Sequence, residues 1–509
     1  MPIARRNGIL LDSSYDPESS ARALASRMDT EGKAAAIIFG GGFGYLAREL
    51  VRRGLRVLVI ENDAELAVNG LRLLGEDAFR DFSMIFTDEP YIEALERDFL
   101  EPSWQIGDIL IVSAAASAVR ETTVGYPDLL QAERAVVALF KRRMQELETS
   151  AWFGERWTCN LLDNLCAIRG RSREQRADTR RGDWVIASPG PSLDAAVCAL
   201  ANSRGYYTLL ALASALRPLL ERGIRPDFVA STDGGWANGL HLAGLEDSGI
   251  PLLFPLFCYA GVARGWQGAL IPFTYSTSVE NFFLDAHSVI PVPESPTVAL
   301  FAIFAAKRLG AERIIFAGQD FASISSKGHA RGYRFDADAQ NRGTRTAPPE
   351  KYLDATFRRH DEQCAYWRTD SKMRAYAEAF LREVTKSPDE FLALDTGVLS
   401  PHLAALPPAR AFNPGGVHEV RLPPPALQYD RLERLYAALL RLPPGDEALC
   451  HTVFDDPDLR EFFAFARPLA FHHYRHGAYP RADELLALRL PDFRRRILHR
   501  LRILLNTAV

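Results

Sequence analysis

Residues 185–194 read Val-Ile-Ala-Ser-Pro-Gly-Pro-Ser-Leu-Asp, an apolar run broken by a turn of small residues that carries Ser192 and Asp194. The run 184–187 predicts a buried parallel strand and 193–201 the helix after it, so the turn is a strand-to-helix loop. The first backbone N–H groups of such a helix point past the sheet edge and can hold a phosphate, and Gly190, followed by Pro191, lets a ligand come close to the backbone. Ser192 or Asp194 could equally cap the helix. Further strand ends offer polar groups in the same way: Thr232-Asp233-Gly234-Gly235 after the strand 228–231, Ser295-Pro296-Thr297 before a helix over 298–309, and Gly318-Gln319-Asp320 after the strand 313–317. Polar residues at the carboxyl ends of strands are where open α/β sheets bind ligands. His329 and His360 lie beyond Asp320 and supply imidazoles for proton abstraction near neutral pH.

These groups need a scaffold, and 509 residues exceed a single core. Three regions are expected: a Rossmann-like N-terminal domain over 1–150, a doubly wound central α/β domain over 151–415, and a helical C-terminal domain over 416–509. In the first, a strand over 34–39 enters Gly40-Gly41-Gly42-Phe43-Gly44, a helix follows, and a second strand ends at Glu61, the arrangement used for dinucleotides or S-adenosylmethionine. Further strands are expected at 84–86 and 108–113, and a closing helix at 126–147. The basic run 171–181 is interleaved with Glu174 and Asp178 and reads as a solvated linker or helix face. Proline clusters at 407–408 and 423–425 read as a linker or surface wrap ahead of helices at 427–442, 458–466, 482–488 and 492–505.

Composition narrows the function classes. With 47% hydrophobic and 24% charged residues and a formal net charge of −4, the chain is globular and has no net basic field for nucleic acid. Six scattered cysteines without a Cys-x-x-Cys pair suggest neither a zinc site nor a disulfide framework and fit a reducing, cytoplasmic setting. No apolar run approaches the ~20 residues of a membrane span, so membrane insertion is not expected.

The turns taken together, Gly-Pro-Ser-Leu-Asp, Pro-Asp with Thr-Asp after it, Ser-Pro-Thr before an alanine-rich helix, and Leu-Gly-Ala-Glu-Arg-Ile-Ile-Phe-Ala-Gly-Gln-Asp-Phe-Ala, resemble the motility-associated factor (Maf) family of flagellin glycosyltransferases over roughly residues 155–400. The same region is similar, more distantly, to bacterial sialyltransferases that use CMP-activated sugars. The resemblance implies transfer of a sialic-acid-like sugar, pseudaminic or legionaminic acid, from a CMP donor to serine or threonine of flagellin or another surface protein, with no cofactor or metal beyond the sugar nucleotide. Transfer of that kind expels a nucleoside monophosphate from a cationic transition state and deprotonates an acceptor hydroxyl. Gly190, Pro191 and Ser192 would then serve the phosphate, as would Ser295 and Thr297, or these two would take the donor carboxylate. Asp233, Asp320 and the neighbouring Gln319 would meet hydroxyls of ribose or sugar, and Asp320 also counts among the catalytic candidates. Sialyltransferases place a catalytic histidine before an Asn-Thr-Asp segment; this chain has Arg368-Thr369-Asp370, preceded by Ala365, Tyr366 and Trp367, so Tyr366 joins His329 and His360 as a base candidate. Arg331, Arg334, Arg342 and Arg345 fall in a polar loop that could grip the donor carboxylate. Three other readings remain: a diphosphokinase of the MptE-like superfamily with ATP and magnesium, a methyltransferase acting through the Gly40–Gly44 turn, and a sugar-binding flagellar protein without activity.

Overall fold

The computed structural model describes the chain apart from residues 1, 7, 8, 12, 101–105, 114–125, 172–174, 286–287, 325–326, 352–361, 365, 410, 414, 443–448, 476 and 507–509. It divides into two compact units, one of Met1–Trp152 with His472–Ala478 and one of Phe153–Phe471 with Tyr479–Val509.

Unit 1 is built on four parallel strands, β1 (Ala35–Phe39), β2 (Arg56–Glu61), β3 (Ser83–Phe86) and β4 (Ile109–Val112), in the order β3-β2-β1-β4. Alternate residues of a strand face opposite sides. Ile37, Phe39, Leu58 and Ile60 accordingly pack with Leu129, Val136 and Phe140, whereas Ile38, Val57 and Val59 pack with Ala47 and Leu50 of α1 (Tyr45–Arg52). The helix expected to close this region at 147 runs on as α2 (Tyr126–Arg169), 44 residues in all. Its continuation needs no breaker: Leu161, Leu162, Leu165 and Ile168 are buried, and Gly154 is there because a Cβ would meet the Phe465 carbonyl at 2.6 Å.

Unit 2 holds a nine-stranded sheet whose strands are all parallel: β5 (Gly182–Ala187), β6 (Thr208–Leu212), β7 (Phe228–Ala230), β8 (Leu252–Pro255), β9 (Leu270–Thr274), β10 (Ile290–Pro291), β11 (Ala311–Ala317), β12 (Phe391–Leu394) and β13 (Pro408–Ala409). The order is β10-β9-β8-β7-β6-β5-β11-β12-β13. From β5 the chain works outward to β10, then returns to the other side of β5 as β11, so the direction of winding reverses between β5 and β11. One face, with Trp184, Ile186, Leu210 and Phe316, is covered by α6 (Val298–Arg308) and by α7 (Ser371–Val384) through Phe380 and Val384. The other face, with Val185, Ala187, Leu209 and Ile315, is covered by α3 (Leu193–Asn202) and α4 (Ala213–Leu220). Helices on both faces explain why these strands are apolar throughout rather than alternating.

The run 171–181 is corrected: Gln175–Arg180 is a strand paired antiparallel with Val417–Leu422. Its physical basis is period-two alternation, with Ala177 and Thr179 buried and Arg176 and Asp178 outward. The proline-rich stretch likewise contributes β13 to the sheet. The chain ends in helices, among them α8 (Tyr429–Arg441), α9 (Pro457–Ala466) and α10 (Leu490–Asn506), joined by Leu432, Leu435, Phe462, Phe463, Phe493 and Ile497. Two arginines of this region are partnered by α2: Arg500 pairs with Asp163 at 2.8 Å and Arg467 with Glu155 at 2.6 Å. Among the described residues no helix is long and apolar enough to cross a membrane.

Candidate functional site

The reversal between β5 and β11 is where a doubly wound sheet opens a crevice at its carboxyl edge. The two strands are pinned at both ends. At the amino end the fully buried Asp183 takes a two-pronged contact from Arg313, at 2.8 and 2.6 Å, and accepts the Asn413 N–H at 2.7 Å. At the carboxyl end the Ser188 N–H donates to Ala317 and the Gly190 N–H to Gly318, at 2.8 and 2.9 Å. Ser188 Oγ donates to Gln319 Oε1. Asp320, 1% exposed, accepts the Ser192 N–H at 2.8 Å and the Ser192 hydroxyl at 2.6 Å. Burial raises the Asp320 carboxyl to about 6, and the two Ser192 hydrogen bonds oppose that rise.

This geometry changes the expected role of the turn. Gly190 does not open space for a ligand: a Cβ there would stand 2.3 Å from the Gly318 carbonyl and 2.4 Å from Asp320 Oδ2. Nor are the N–H groups at the start of α3 open to a phosphate, since Leu193 donates to Gly190, Asp194 to Pro191 and Ser192 to Asp320. Asp194 does not cap; its carboxylate receives Lys327, Arg222 at 2.7 Å and the Arg331 N–H at 3.1 Å. Together with the Ala330 N–H on the Pro189 carbonyl at 2.6 Å, these contacts lay residues 327–331 against the turn.

His329 is carried by that segment. Its ring stacks on Tyr333 at 3.7 Å between centroids, and its Nδ1 stands 3.8 Å from Asp336 Oδ1. Tyr333 also meets His241, at the end of α5 (Trp236–Leu242). Burial and the nearby His329 lower His241 to about 4, while Asp233 acts in the opposite direction, so the two histidines and Asp233 share one electrostatic neighbourhood. Asp233, exposed, accepts the Gly235 N–H at 2.7 Å.

Ser295 and Thr297 reach the same edge by a different route. They leave β10, at the far side of the sheet, yet they lead into α6, which packs on β6, β5 and β11. A helix between parallel strands runs back along the sheet, so its N-terminus stands at the carboxyl edge. Thr297 caps α6 through the Leu300 N–H at 3.3 Å, and Ser295 Oγ donates to the Pro293 carbonyl at 3.0 Å. The first N–H groups of α6, at Val298 and Ala299, find no acceptor among the described residues. Two donors that the Thr297 cap leaves without a partner suit an anion.

Tyr366 is 56% exposed on the turn between strands Glu362–Cys364 and Trp367–Thr369, packed on Trp367, and takes no part in the hydrogen bonds of the 188–192 turn. His360 lies outside the described residues. Arg334, expected in a loop, begins the helix Arg334–Asn341 and pairs with Asp338 at 3.1 Å.

Sequence reasoning passed over His241 and two buried amides of α2. Asn160 donates to the carbonyls of Gly234 and Phe257 at 3.0 and 3.1 Å, and Asn164 to those of Leu256 and Cys258, both at 2.8 Å. They fasten the loops after β7 and β8 to one helix. Their signal was two amides four residues apart among the leucines of an apolar helix face.

Comparison with known proteins follows this architecture. Residues 159–326, from α2 to just past Asp320, match the family model described as 6-hydroxymethylpterin diphosphokinase MptE-like. An uncharacterized protein of Treponema pallidum (strain Nichols) is 29% identical over 146 residues, which is 29% of this chain and only 31% of that protein. The solved structure of a Maf glycosyltransferase from Magnetospirillum magneticum AMB-1 has the same fold, with a TM-score of 0.54 and 12% identity, covering 99% of this chain and 90% of that one.

Proposed function

We propose, from the MptE-like match and from a fold shared along 99% of the chain with a Maf glycosyltransferase, that this protein is a glycosyltransferase working at the carboxyl edge between β5 and β11. Its donor is a CMP-activated, sialic-acid-like sugar of the pseudaminic or legionaminic class, and its acceptor is a serine or threonine hydroxyl of flagellin or a similar surface protein. The reading is supported by the Ser192–Asp320 pair and the segment that carries His329 meeting at the turn where the sheet reverses, with Asp233 and His329 both acting on His241.

Each group then has a task. The open N–H pair at Val298 and Ala299 holds the phosphate or the donor carboxylate, and stabilises the charge that grows on the departing nucleotide. The buried Ser192 donates both its N–H and its hydroxyl to Asp320, so the pair holds the turn in place and both are positioning residues. Asp233, exposed, takes a ribose or sugar hydroxyl. His329 removes the acceptor proton, and the bond between the anomeric carbon and the phosphate oxygen breaks as the new one to the acceptor oxygen forms.

The match to the 6-hydroxymethylpterin diphosphokinase MptE-like family model favours a second reading, a diphosphokinase. Calorimetric titration of the full chain with CMP, and separately with ATP and magnesium, separates them, followed by assays with CMP-pseudaminic acid plus flagellin and with ATP plus 6-hydroxymethylpterin. The transferase reading expects CMP to bind and flagellin to gain the mass of one sugar. Binding of ATP with magnesium but not CMP, with a diphosphorylated pterin as product, would overturn it.

A further inference from the structure

Unit 1 carries features that the proposed transfer does not use, and three of them meet at one edge of its sheet. The order β3-β2-β1-β4 reverses at β1, because the chain moves from β1 to β2 and β3 and then returns to the other side of β1 as β4. Open α/β sheets take their ligands outside the carboxyl ends at such a reversal. β1 ends there in Gly40-Gly41-Gly42-Phe43-Gly44, and α1 begins at the next residue.

Glu61, the last residue of β2, is the second feature. It is 1% exposed, its Oε2 accepts the Gly41 N–H at 3.1 Å, and its Oε1 accepts the Asn62 N–H at 2.9 Å. The carboxylate is thereby held against the glycine turn, 20 residues from Gly41 in sequence. That is the spacing at which an acid at the end of the second strand meets a ribose, and each carboxylate oxygen can accept more than one hydrogen bond.

The third feature is a set of buried donors. Gly42 and Phe43 are both buried, and their N–H groups have no acceptor among the described residues; Gly44, before α1, provides no side-chain cap. Packing accounts for Gly41 and Gly44, where a Cβ would strike Val59 at 2.4 Å and Phe82 at 2.7 Å. Packing does not account for two N–H groups of buried residues that have no partner among the described residues; such groups cost free energy unless something accepts from them.

We propose that this edge of unit 1 binds a nucleoside: Glu61 accepts from the 2′- and 3′-hydroxyls of its ribose, and the Gly42 and Phe43 N–H groups donate to polar or anionic atoms beyond the sugar. S-adenosyl compounds and nicotinamide dinucleotides share that chemistry, and the test distinguishes them. The proposal is independent of the transferase reading of unit 2.

The full chain is titrated with adenosine, 2′,3′-dideoxyadenosine, S-adenosylhomocysteine and NAD⁺, each with and without CMP, so that competition with a nucleotide site in unit 2 is visible. Adenosine is expected to bind, and dideoxyadenosine to bind at least about tenfold more weakly, the loss of hydrogen bonds to a charged group. Whichever of S-adenosylhomocysteine and NAD⁺ binds more tightly than adenosine identifies the rest of the ligand. Glu61→Gln should weaken that compound by a similar factor and leave CMP binding in place; should this variant fail to fold, the dideoxy comparison on the unaltered chain stands alone. Failure of adenosine, S-adenosylhomocysteine and NAD⁺ to bind below about 1 mM, or equal binding of adenosine and dideoxyadenosine, overturns the proposal.

Discussion

Two glycine turns in this protein are clasped in the same way and finished differently. In each, a carboxylate with 1% exposure accepts a backbone N–H of the turn: Glu61 from Gly41 in unit 1, Asp320 from Ser192 in unit 2. In unit 2 the remaining donors are spent internally, on Ala317, Gly318, Gly190 and Pro191, so the turn is a closed joint between β5 and β11. In unit 1 the Gly42 and Phe43 donors are left over. A glycine turn after a parallel strand therefore does not by itself mark a phosphate site. What decides is whether the donors are already used; in unit 2 the start of α6 still offers two, at Val298 and Ala299.

The largest effect should come from filling the closed joint. Gly190→Ala places a Cβ against a backbone carbonyl that cannot yield, and should cost about 4 kcal/mol or abolish folding of unit 2. Gly41→Ala meets the Val59 side chain, its Cγ1 at 2.4 Å, rather than backbone, and about 2 kcal/mol is expected. Urea unfolding of both variants checks the contrast, and equal costs would break it. Next in size is His329→Ala, which should lower transfer about 100-fold or more while CMP affinity stays within about threefold, read by turnover and calorimetry.

Asp320 gives a signed dependence on pH. Its carboxyl is raised from 3.8 to about 6 in the folded chain. The folded state therefore keeps a proton that the unfolded state gives up, and the stability this supplies, complete below pH 4, is lost as pH rises through about 6. Relative to Asp320→Asn, the unaltered chain should lose about 3 kcal/mol across that window; a difference independent of pH would show that Asp320 is not buried as described. The smallest effect is expected at Asp194→Ala, which releases Lys327, Arg222 and the Arg331 N–H. About 1–2 kcal/mol is expected, with faster amide exchange confined to residues 327–333.

Much of this architecture could be read along the chain, because its signals are local. Apolar runs ending in small polar residues mark the carboxyl edges at Ser188, Asp233 and Asp320 without knowledge of strand order. The fate of the donors could not be read. That Gly190 has no room for a ligand follows from β11 lying beside β5, although the two strands are more than a hundred residues apart. His241 belongs to a helix of seven residues with no pattern of its own, and its place beside Tyr333 depends on where the 327–333 segment folds back. Asn160 and Asn164 stand out as amides on an apolar helix face, but which carbonyls they meet depends on the loops after β7 and β8 being set against them. The strand Gln175–Arg180 was hidden by its charge, although Ala177 and Thr179 already alternated.

The central claim, that the nucleotide sits at the β5–β11 reversal with its anion on the start of α6, is tested most directly by amide hydrogen exchange of the full chain with and without CMP. The account predicts that protection increases in residues 295–300 and 318–333, with Val298 and Ala299 most affected, while residues 188–194, already bonded internally, change little. Protection that leaves 295–300 untouched and appears only in unit 1 would contradict it.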